Sequence, residues 1–279
     1  MEFSIIIPTL NEEVYIEACL KSISKQTLPR DRFEIIVSDG SSSDRTREIA
    51  RKYADKVVVS KKRGIWWGRN QGAKVAKGTY LVFIDADTRI KEDYLETVKK
   101  YLDCGIVGLT AGFEIEGIGL KMKIFECLGC GFFWLSSNFR NTSLIGINLC
   151  VPRDVFIKVG GFKDYALEDA AFDRELKKVG QTRFLMQRKV VTSARRLEAY
   201  GVIGLCRYYF ELGMMDGGKI NSPHIAKFIK YQEYKPIRMP AAMPMRTSGR
   251  QRVSEKCENV KTFGKQRIER VEKMVLKWT

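Results

Sequence analysis

Continuous apolar runs alternate with amphipathic stretches through the first hundred residues of this 279-residue chain. FSIIIPT, residues 3–9, reads as a buried strand that Pro8 brings to an end. Asn11 is placed to cap a following helix, with Glu12 and Glu13 in its first turn and Val14, Ile16, Leu20 and Ile23 among its apolar positions to about Ser24. FEIIVSDG, residues 33–40, is a second strand, followed by the polar turn SSSD and a helix from about Thr46. DKVVVSK gives a third strand, Asn70 to Ala76 a helix leading to Gly78, and TYLVFIDAD a fourth strand. Strands this apolar have no solvent face, so the β-α-β-α order predicts an α/β fold: a mostly parallel central sheet with helices on both faces.

Beyond Glu92 a helix is expected to about Leu102, and CGIVGLTAGFEI suggests a pair of strands. Residues 119–139, GLKMKIFECLGCGFFWLSSNF, are apolar, aromatic and lightly charged. A buried helix is the first expectation, and an interfacial helix or acceptor groove touching lipid is the second. Residues 143–180 read as a strand, a short helix, a Gly-Gly turn and a helix with Glu168-Asp169 near its start. VVTSARR closes one more strand. From about 205 the pattern weakens, and residues 224–245 read as a loop or arm holding most of the late prolines. Val260, Phe263, Ile268, Val271, Val275 and Trp278 then fall largely on one face of a basic amphipathic helix. That helix has three expected partners: the protein's own body, an anionic membrane or another protein. The organisation expected is a catalytic domain over 1–200, with a nucleotide-binding half to about 110 and an acceptor-side half over 111–200. A basic extension follows over 201–279.

Ligands of open α/β sheets bind at the carboxyl ends of the strands, and the polar residues gather there. Thr9, Asn11 and Glu12 follow the first strand, Asp39 the second, and Asp85 and Asp87 the fourth. Asn11 and Asp39 also suit plain helix caps. Two carboxylates one residue apart at a strand end can hold Mg²⁺ or Mn²⁺, hard cations that keep waters and bridge phosphate oxygens. Such a cation screens charge on a diphosphate leaving group. Asp169, at the start of a helix, can accept a proton from an attacking hydroxyl. Glu168 can do the same or orient the acceptor, and the pair is close enough to couple. Arg69, Arg195 and Arg196 are the cations expected to meet a diphosphate, since a guanidinium contacts phosphate through two donors. His224, the single histidine, is not favoured as a third metal ligand.

Charge sharpens the division of the chain. Residues 181–279 hold 21 Lys and Arg against 8 Asp and Glu, so most of the net +16 lies there. Such a surface attracts phosphates, nucleic acid or an acidic membrane. Nucleic-acid modules pair their basic patch with a reading helix or aromatic platform, and neither is visible, so specific nucleic-acid binding is not expected. The seven cysteines are scattered and odd in number, which favours a reducing, cytoplasmic compartment. Cys127 and Cys130 have CxxC spacing without the second pair or histidine of a zinc site. The opening EFSIIIPTLNEE lacks the basic start of a secretory leader. No run of eighteen apolar residues predicts a spanning helix. A cytoplasmic location is the expectation, with peripheral contact at the cytoplasmic face of a membrane as its second form.

Five segments in order, FSIIIPTLNEE, EIIVSDGSSSDRT, GRNQGAKVAKGTYLVFIDADT, GGFKDYALEDAAFDRELKKVG and VVTSARR, resemble family 2 glycosyltransferases with a GT-A fold, over roughly residues 3–197. The resemblance implies inverting transfer from a nucleoside-diphosphate sugar. It implies that Pro8, Thr9, Glu12 and Asp39 line the base and ribose pocket and that Asp85 faces the ribose or diphosphate. It further implies that Asp87 binds the metal and that Asp169 is the base. The chain lacks the QxxRW signature of processive synthases, so transfer of one sugar is expected, to an acceptor hydroxyl on a glycan or to a lipid-linked acceptor such as a polyprenyl phosphate. The base of the donor and the oligomeric state are not legible. A nucleotidyltransferase would carry a glycine- and arginine-rich loop where this chain has TLNEE. A non-catalytic basic binding protein would need neither acidic pair.

Overall fold

Side chains of successive strand residues point to opposite faces of a sheet, and the first strand shows what this does here. Ile5 and Ile7 enter one core with Ile16, Leu20, Tyr94, Leu95 and Val98, while Ile6 enters another with Ala73, Phe83, Phe156, Phe172 and Leu176. Both faces are buried, so a polar residue inside the strand needs a partner, as Ser4 has in Glu34 of β2 at 2.7 Å. Each such Ile, fully removed from water, contributes about 1.5–3 kcal/mol.

The computed structural model describes residues 1–138, 144–165 and 167–216. In chain order these form β1 (Phe3–Thr9), α1 (Ile16–Ser24), β2 (Phe33–Asp39), α2 (Thr46–Ala50), β3 (Lys56–Val59), α3 (Ile65–Val75), β4 (Tyr80–Ile84) and β5 (Thr88–Ile90). They continue as α4 (Tyr94–Leu102), β6 (Gly108–Ile115), α5 (Leu120–Asn138), β7 (Asn148–Pro152), α6 (Arg153–Lys158), α7 (Glu168–Val179), β8 (Thr182–Thr192) and α8 (Arg195–Asp216). The strands make one eight-stranded sheet in the order β3-β2-β1-β4-β7-β6-β8-β5. Pairs β3–β2, β2–β1, β1–β4 and β6–β8 are parallel, whereas β7 and β5 run antiparallel to their neighbours. The α/β class and the mostly parallel sheet covered on both faces stand as expected.

Several local expectations do not. Asn11 caps no helix: α1 begins at Ile16, with Tyr15 in the cap position and no side-chain cap bond. Asn11 instead adopts a left-handed conformation, φ 56°, and its Oδ1 accepts from Ser43 N at 2.8 Å. It ties the loop after β1 to the loop after β2. The helix expected from Asn70 starts five residues earlier, at Ile65, so Arg69 lies inside it. Gly64, φ 138°, and Gly68 mask that start in the sequence. The fourth strand stops at Ile84, and Asp85 O accepts from Thr88 N at 3.0 Å. This turn separates β4 from the unforeseen short strand β5. CGIVGLTAGFEI is one strand, not two, because its first residues close α4 through a turn at Gly105, φ 86°.

The helix α5 is covered on one side only rather than buried. Glu126 and Cys130 face the sheet, while Ile124, Phe125, Leu128, Phe132 and Leu135 are more than half exposed. The inner face is pinned by charge: Glu126 Oε1 meets Arg188 Nη1 at 2.9 Å and its Oε2 accepts from Ile115 N at 2.6 Å. Phe133 stacks on Phe184, centroids 5.7 Å apart. Cys127 accepts from Arg188 Nη2 at 2.8 Å, and Cys130 donates to Phe113 O at 3.7 Å. Among the described residues, no helix is long and apolar enough to cross a membrane. The arm over 224–245 with His224 and the basic helix over 260–278 lie outside the described residues.

The turn entering β4 lies directly on the start of β1. Gly78 N donates to Ser4 Oγ at 2.7 Å, and a Cβ on Gly78 would sit 2.4 Å from Ser4 N and 2.5 Å from Phe3 C. Those are backbone atoms and cannot step aside. Gly78→Ala is expected to lower stability by about 3 kcal/mol, the upper end of overpacking, as read from the denaturant midpoint. Gly131→Ala, in α5 with nothing within 4 Å of its Cβ position, is expected to raise stability by up to about 1 kcal/mol.

Candidate active site

Carboxyl ends of β1, β2 and β4 meet the amino-terminal turns of α7 and α8, and the residues expected to bind nucleotide, metal or acceptor, apart from the undescribed His224, lie on or just after these elements or on α3. Three clusters result. In the first, Asp39 organises the turn after β2: Oδ1 accepts from Ser42 N at 2.8 Å, and Oδ2 accepts from Ser42 Oγ at 2.5 Å and Thr9 Oγ1 at 3.1 Å. Asp39 is buried, 1% exposed. Pro8 lies at the same edge against Gly68 of α3, whose Cβ position is 3.1 Å from Pro8 Cβ.

The second cluster centres on Arg195, the first residue of α8. Its Nη1 reaches both oxygens of Glu12, at 3.1 and 2.8 Å, and its Nε reaches Asp87 Oδ2 at 2.8 Å. The guanidinium lies 5.2 Å from the centroid of the Tyr15 ring. Ser193 Oγ donates to the same Asp87 oxygen at 2.9 Å. Burial raises the Glu12 carboxyl above the ordinary glutamate value, although Arg195 pulls it down.

The third cluster joins the two acidic motifs. Arg69 is 2% exposed. Its Nη2 donates to Asp85 Oδ1 at 3.1 Å and to Gly146 O at 2.8 Å, and its Nη1 donates to Glu168 Oε1 at 3.0 Å. The ring of Phe162 lies 5.1 Å from the guanidinium carbon. Gly146 N in turn donates to Asp169 Oδ2 at 2.9 Å, and Asp169 Oδ1 accepts from Ala170 N at 2.8 Å. A side chain at Gly146 would strike Arg69, 2.6 Å from Nη2. Burial raises the carboxyls of Asp85 and Glu168, in each case against the pull of Arg69. Glu168 is also pushed up by Asp169, to about 7. Arg196 is close enough to Asp85 for its charge to favour that carboxylate.

Sequence reasoning assigned Arg69 to a diphosphate, whereas its guanidinium is held by two carboxylates and a carbonyl. Ser193, Tyr15, Gly146 and Phe162 escaped it. Ser193 was within reach, since it lies in the TSARR box beside both arginines; the others carry no local signal. Asp85 and Asp87 supply hard oxygen donors, but among the described residues no group of three or more His, Cys, Asp or Glu is arranged to hold a metal. Two carboxylates suit a cation that completes its shell with waters and substrate phosphates rather than a protein cage.

Residues 4–114 match the model for glycosyl transferase family 2. This part of the chain belongs to glycosyltransferase family 2. The match covers β1 to β6 and so includes Asp39, Arg69, Asp85 and Asp87. The minor teichoic acid biosynthesis protein GgaB of Bacillus subtilis is 33% identical over 223 residues, 76% of this chain but 23% of GgaB. The poly(ribitol-phosphate) β-N-acetylglucosaminyltransferase TarS of Staphylococcus aureus is 35% identical over 109 residues, 37% of this chain and 19% of TarS. This chain thus spans under a quarter of either relative. The family 2 assignment extends to the fold. The structure of S. aureus TarS 1–349 in complex with UDP-GlcNAc superimposes with TM-score 0.57 and 23% identity, over 69% of this chain and 58% of that one. The mannosyltransferase PcManGT of Pyrobaculum calidifontis, solved with GDP-Man and Mn²⁺, gives TM-score 0.60 and 20% identity over 83% and 68%. The sheet is that of the GT-A glycosyltransferases.

Breaking a buried ion pair leaves the partner charge uncompensated, at about 3–5 kcal/mol. Arg69→Met strands Asp85 and Glu168, whose carboxyls burial already raises. Without the guanidinium they rise further, so the folded state binds their protons more tightly than the unfolded chain does. The stability deficit of Arg69→Met is therefore expected to be largest above pH 7 and to shrink as pH falls toward 5. Urea denaturation of both proteins at pH 8 and pH 5 measures the difference.

Proposed function

We propose that the protein is an inverting glycosyltransferase that moves a single sugar from a nucleoside-diphosphate sugar to an acceptor hydroxyl or a polyprenyl phosphate. The observation that carries this reading is the sharing of Arg69 by Asp85 and Glu168, at 3.1 and 3.0 Å. One side chain thereby sets the carboxylates after β4 and those opening α7 against the same cleft. Donor and acceptor chemistry need to meet there.

In this reading Pro8, Thr9, Glu12 and Asp39 form the base and ribose pocket. Asp87, with Asp85, would hold Mg²⁺ or Mn²⁺, which when bound supplies charge to the diphosphate as it leaves. The acceptor O–H attacks the anomeric carbon as the bond from that carbon to the diphosphate oxygen breaks. The nucleoside diphosphate departs with the bonding pair, and the acceptor proton passes to a carboxylate. A single displacement inverts the carbon and needs no sugar–enzyme intermediate. Asp169 is the proposed base. Its two oxygens receive backbone N–H groups, which fix its orientation at the helix start. Glu168 positions the acceptor or shares the proton. Arg196 is proposed to meet the diphosphate. The catalytic domain is taken as residues 1–200.

The outer face of α5 supports a lipid-linked acceptor and peripheral membrane contact. It presents Phe125, Leu128, Phe132 and Leu135 and no exposed acid, since Glu126 is turned inward. Apolar and aromatic helix faces of this kind enter the headgroup boundary.

Titration calorimetry with UDP-, GDP- and dTDP-sugars tests the donor. Selective binding that needs Mg²⁺ or Mn²⁺ and weakens at least about tenfold in Asp87→Asn is expected. A folded protein that binds no member of the panel with metal present overturns the reading. The pH profile of kcat/KM is expected to fall on the acid side near pH 7, where Glu168 takes up a proton. A profile flat from pH 8 to pH 5 would take proton acceptance away from Glu168.

A further inference from the structure

Arg195 makes an unusual commitment for a cation at the mouth of a nucleotide site. It binds two carboxylates from different strand ends, Glu12 after β1 and Asp87 after β4, at 2.8 Å each. Its side chain is only 16% exposed, and those of Glu12 and Asp87 are 12% and 11% exposed. Tyr15 closes one side of the guanidinium, and Ser193 completes the shell of Asp87 Oδ2. Two nearly buried carboxylates so close together need positive charge, and the fork of Arg195 supplies it to both.

Asp87 is also the carboxylate read above as the cation ligand, and the following rests on that reading. We infer that Arg195 and the divalent cation compete for Asp87, so that Arg195 links cation binding to donor binding. While the guanidinium is on Asp87 Oδ2, a free cation that takes this carboxylate must sit beside its positive charge or displace a short, shielded, charge-assisted bond. Its affinity for the protein alone is therefore low. A nucleoside diphosphate changes the balance. Its phosphate oxygens offer the guanidinium another anionic partner and offer the cation the remaining ligands of its shell. Released from Asp87, Arg195 turns to the diphosphate, and cation and donor bind each other's sites more tightly. By linkage the effect is reciprocal: whatever factor the diphosphate contributes to cation affinity, the cation contributes to diphosphate affinity. Arg195 is then a positioning residue whose removal acts with opposite signs on the two ligands.

Binding of Mn²⁺ to the full-length protein, followed by the electron paramagnetic resonance of free Mn²⁺, tests this without activity. The probes are Mn²⁺ alone, and Mn²⁺ with the nucleoside diphosphate that the donor panel selects. Arg195→Gln is expected to tighten nucleotide-free Mn²⁺ binding about tenfold and to weaken diphosphate binding in the presence of Mn²⁺ by a similar factor. Adding Asp87→Asn should erase the gain. Arg195→Lys keeps the charge but cannot span both carboxylates, so its gain is expected to be smaller. It also serves if the glutamine variant does not fold. Nucleotide-free Mn²⁺ affinity that is unchanged or weaker in both variants overturns the linkage while leaving Asp87 as a ligand, provided Asp87→Asn still abolishes Mn²⁺ binding in the ternary complex. Mn²⁺ binding that ignores Asp87→Asn in every state removes the cation reading itself, and the linkage falls with it.

Discussion

A guanidinium buried under the active-site edge fixes the geometry of everything above it. Arg69 sits on α3 with its charge almost out of water, and two carboxylates and a carbonyl come to it because nothing else in the core can satisfy it. Among the described residues its Nε has no hydrogen-bond partner. The arrangement is therefore more exacting than stabilising: a buried ion pair is weak support for a fold but a strict condition on position. Asp85 belongs to the first half of the sheet, Glu168 to a helix that arrives eighty residues later. Their meeting at one side chain registers the two halves against each other. Gly146 extends the register by accepting from Arg69 through its carbonyl and donating to Asp169 through its amide.

The site is built by alternating signs. Acid from a strand end is followed by guanidinium from a helix and acid from another element, as in Asp85–Arg69–Glu168 and Glu12–Arg195–Asp87. Burial raises the carboxyls of Glu12, Asp85 and Glu168, and Arg195 on the first and Arg69 on the other two keep them from rising further. The result is a cleft rich in acid that does not repel an anionic ligand as strongly as its acidic residues alone would.

Much of this was legible because the sheet is buried on both faces. Strands such as β1, β2 and β4 are apolar over most of their length, so polar residues gathered at their carboxyl ends announce the edge. Thr9, Glu12, Asp39, Asp85 and Asp87 were found in that way, and Glu168-Asp169 by pairing at a helix start. Other features depended on distant partners. Asn11 looks like a cap, but the loop carrying Ser43 offered it a better bond. Arg69 looks like a free basic residue until Glu168 closes on it from ninety-nine positions away. The helix α5 looks buried by composition, and only the sheet tells which half of its apolar surface is covered. Hydrophobic content reports that a residue can be buried, and packing decides whether it is.

The way α5 is fastened separates two kinds of selection. Its hold on the sheet comes from Glu126, Cys130 and the Phe133–Phe184 stack, all on the inner face. Its outer residues contribute little to that hold. Substitutions among the exposed Ile124, Leu128 and Phe132 are therefore expected to change folding little. A scaffold arranged like this can change the chemistry of one exposed helix face without renegotiating its core.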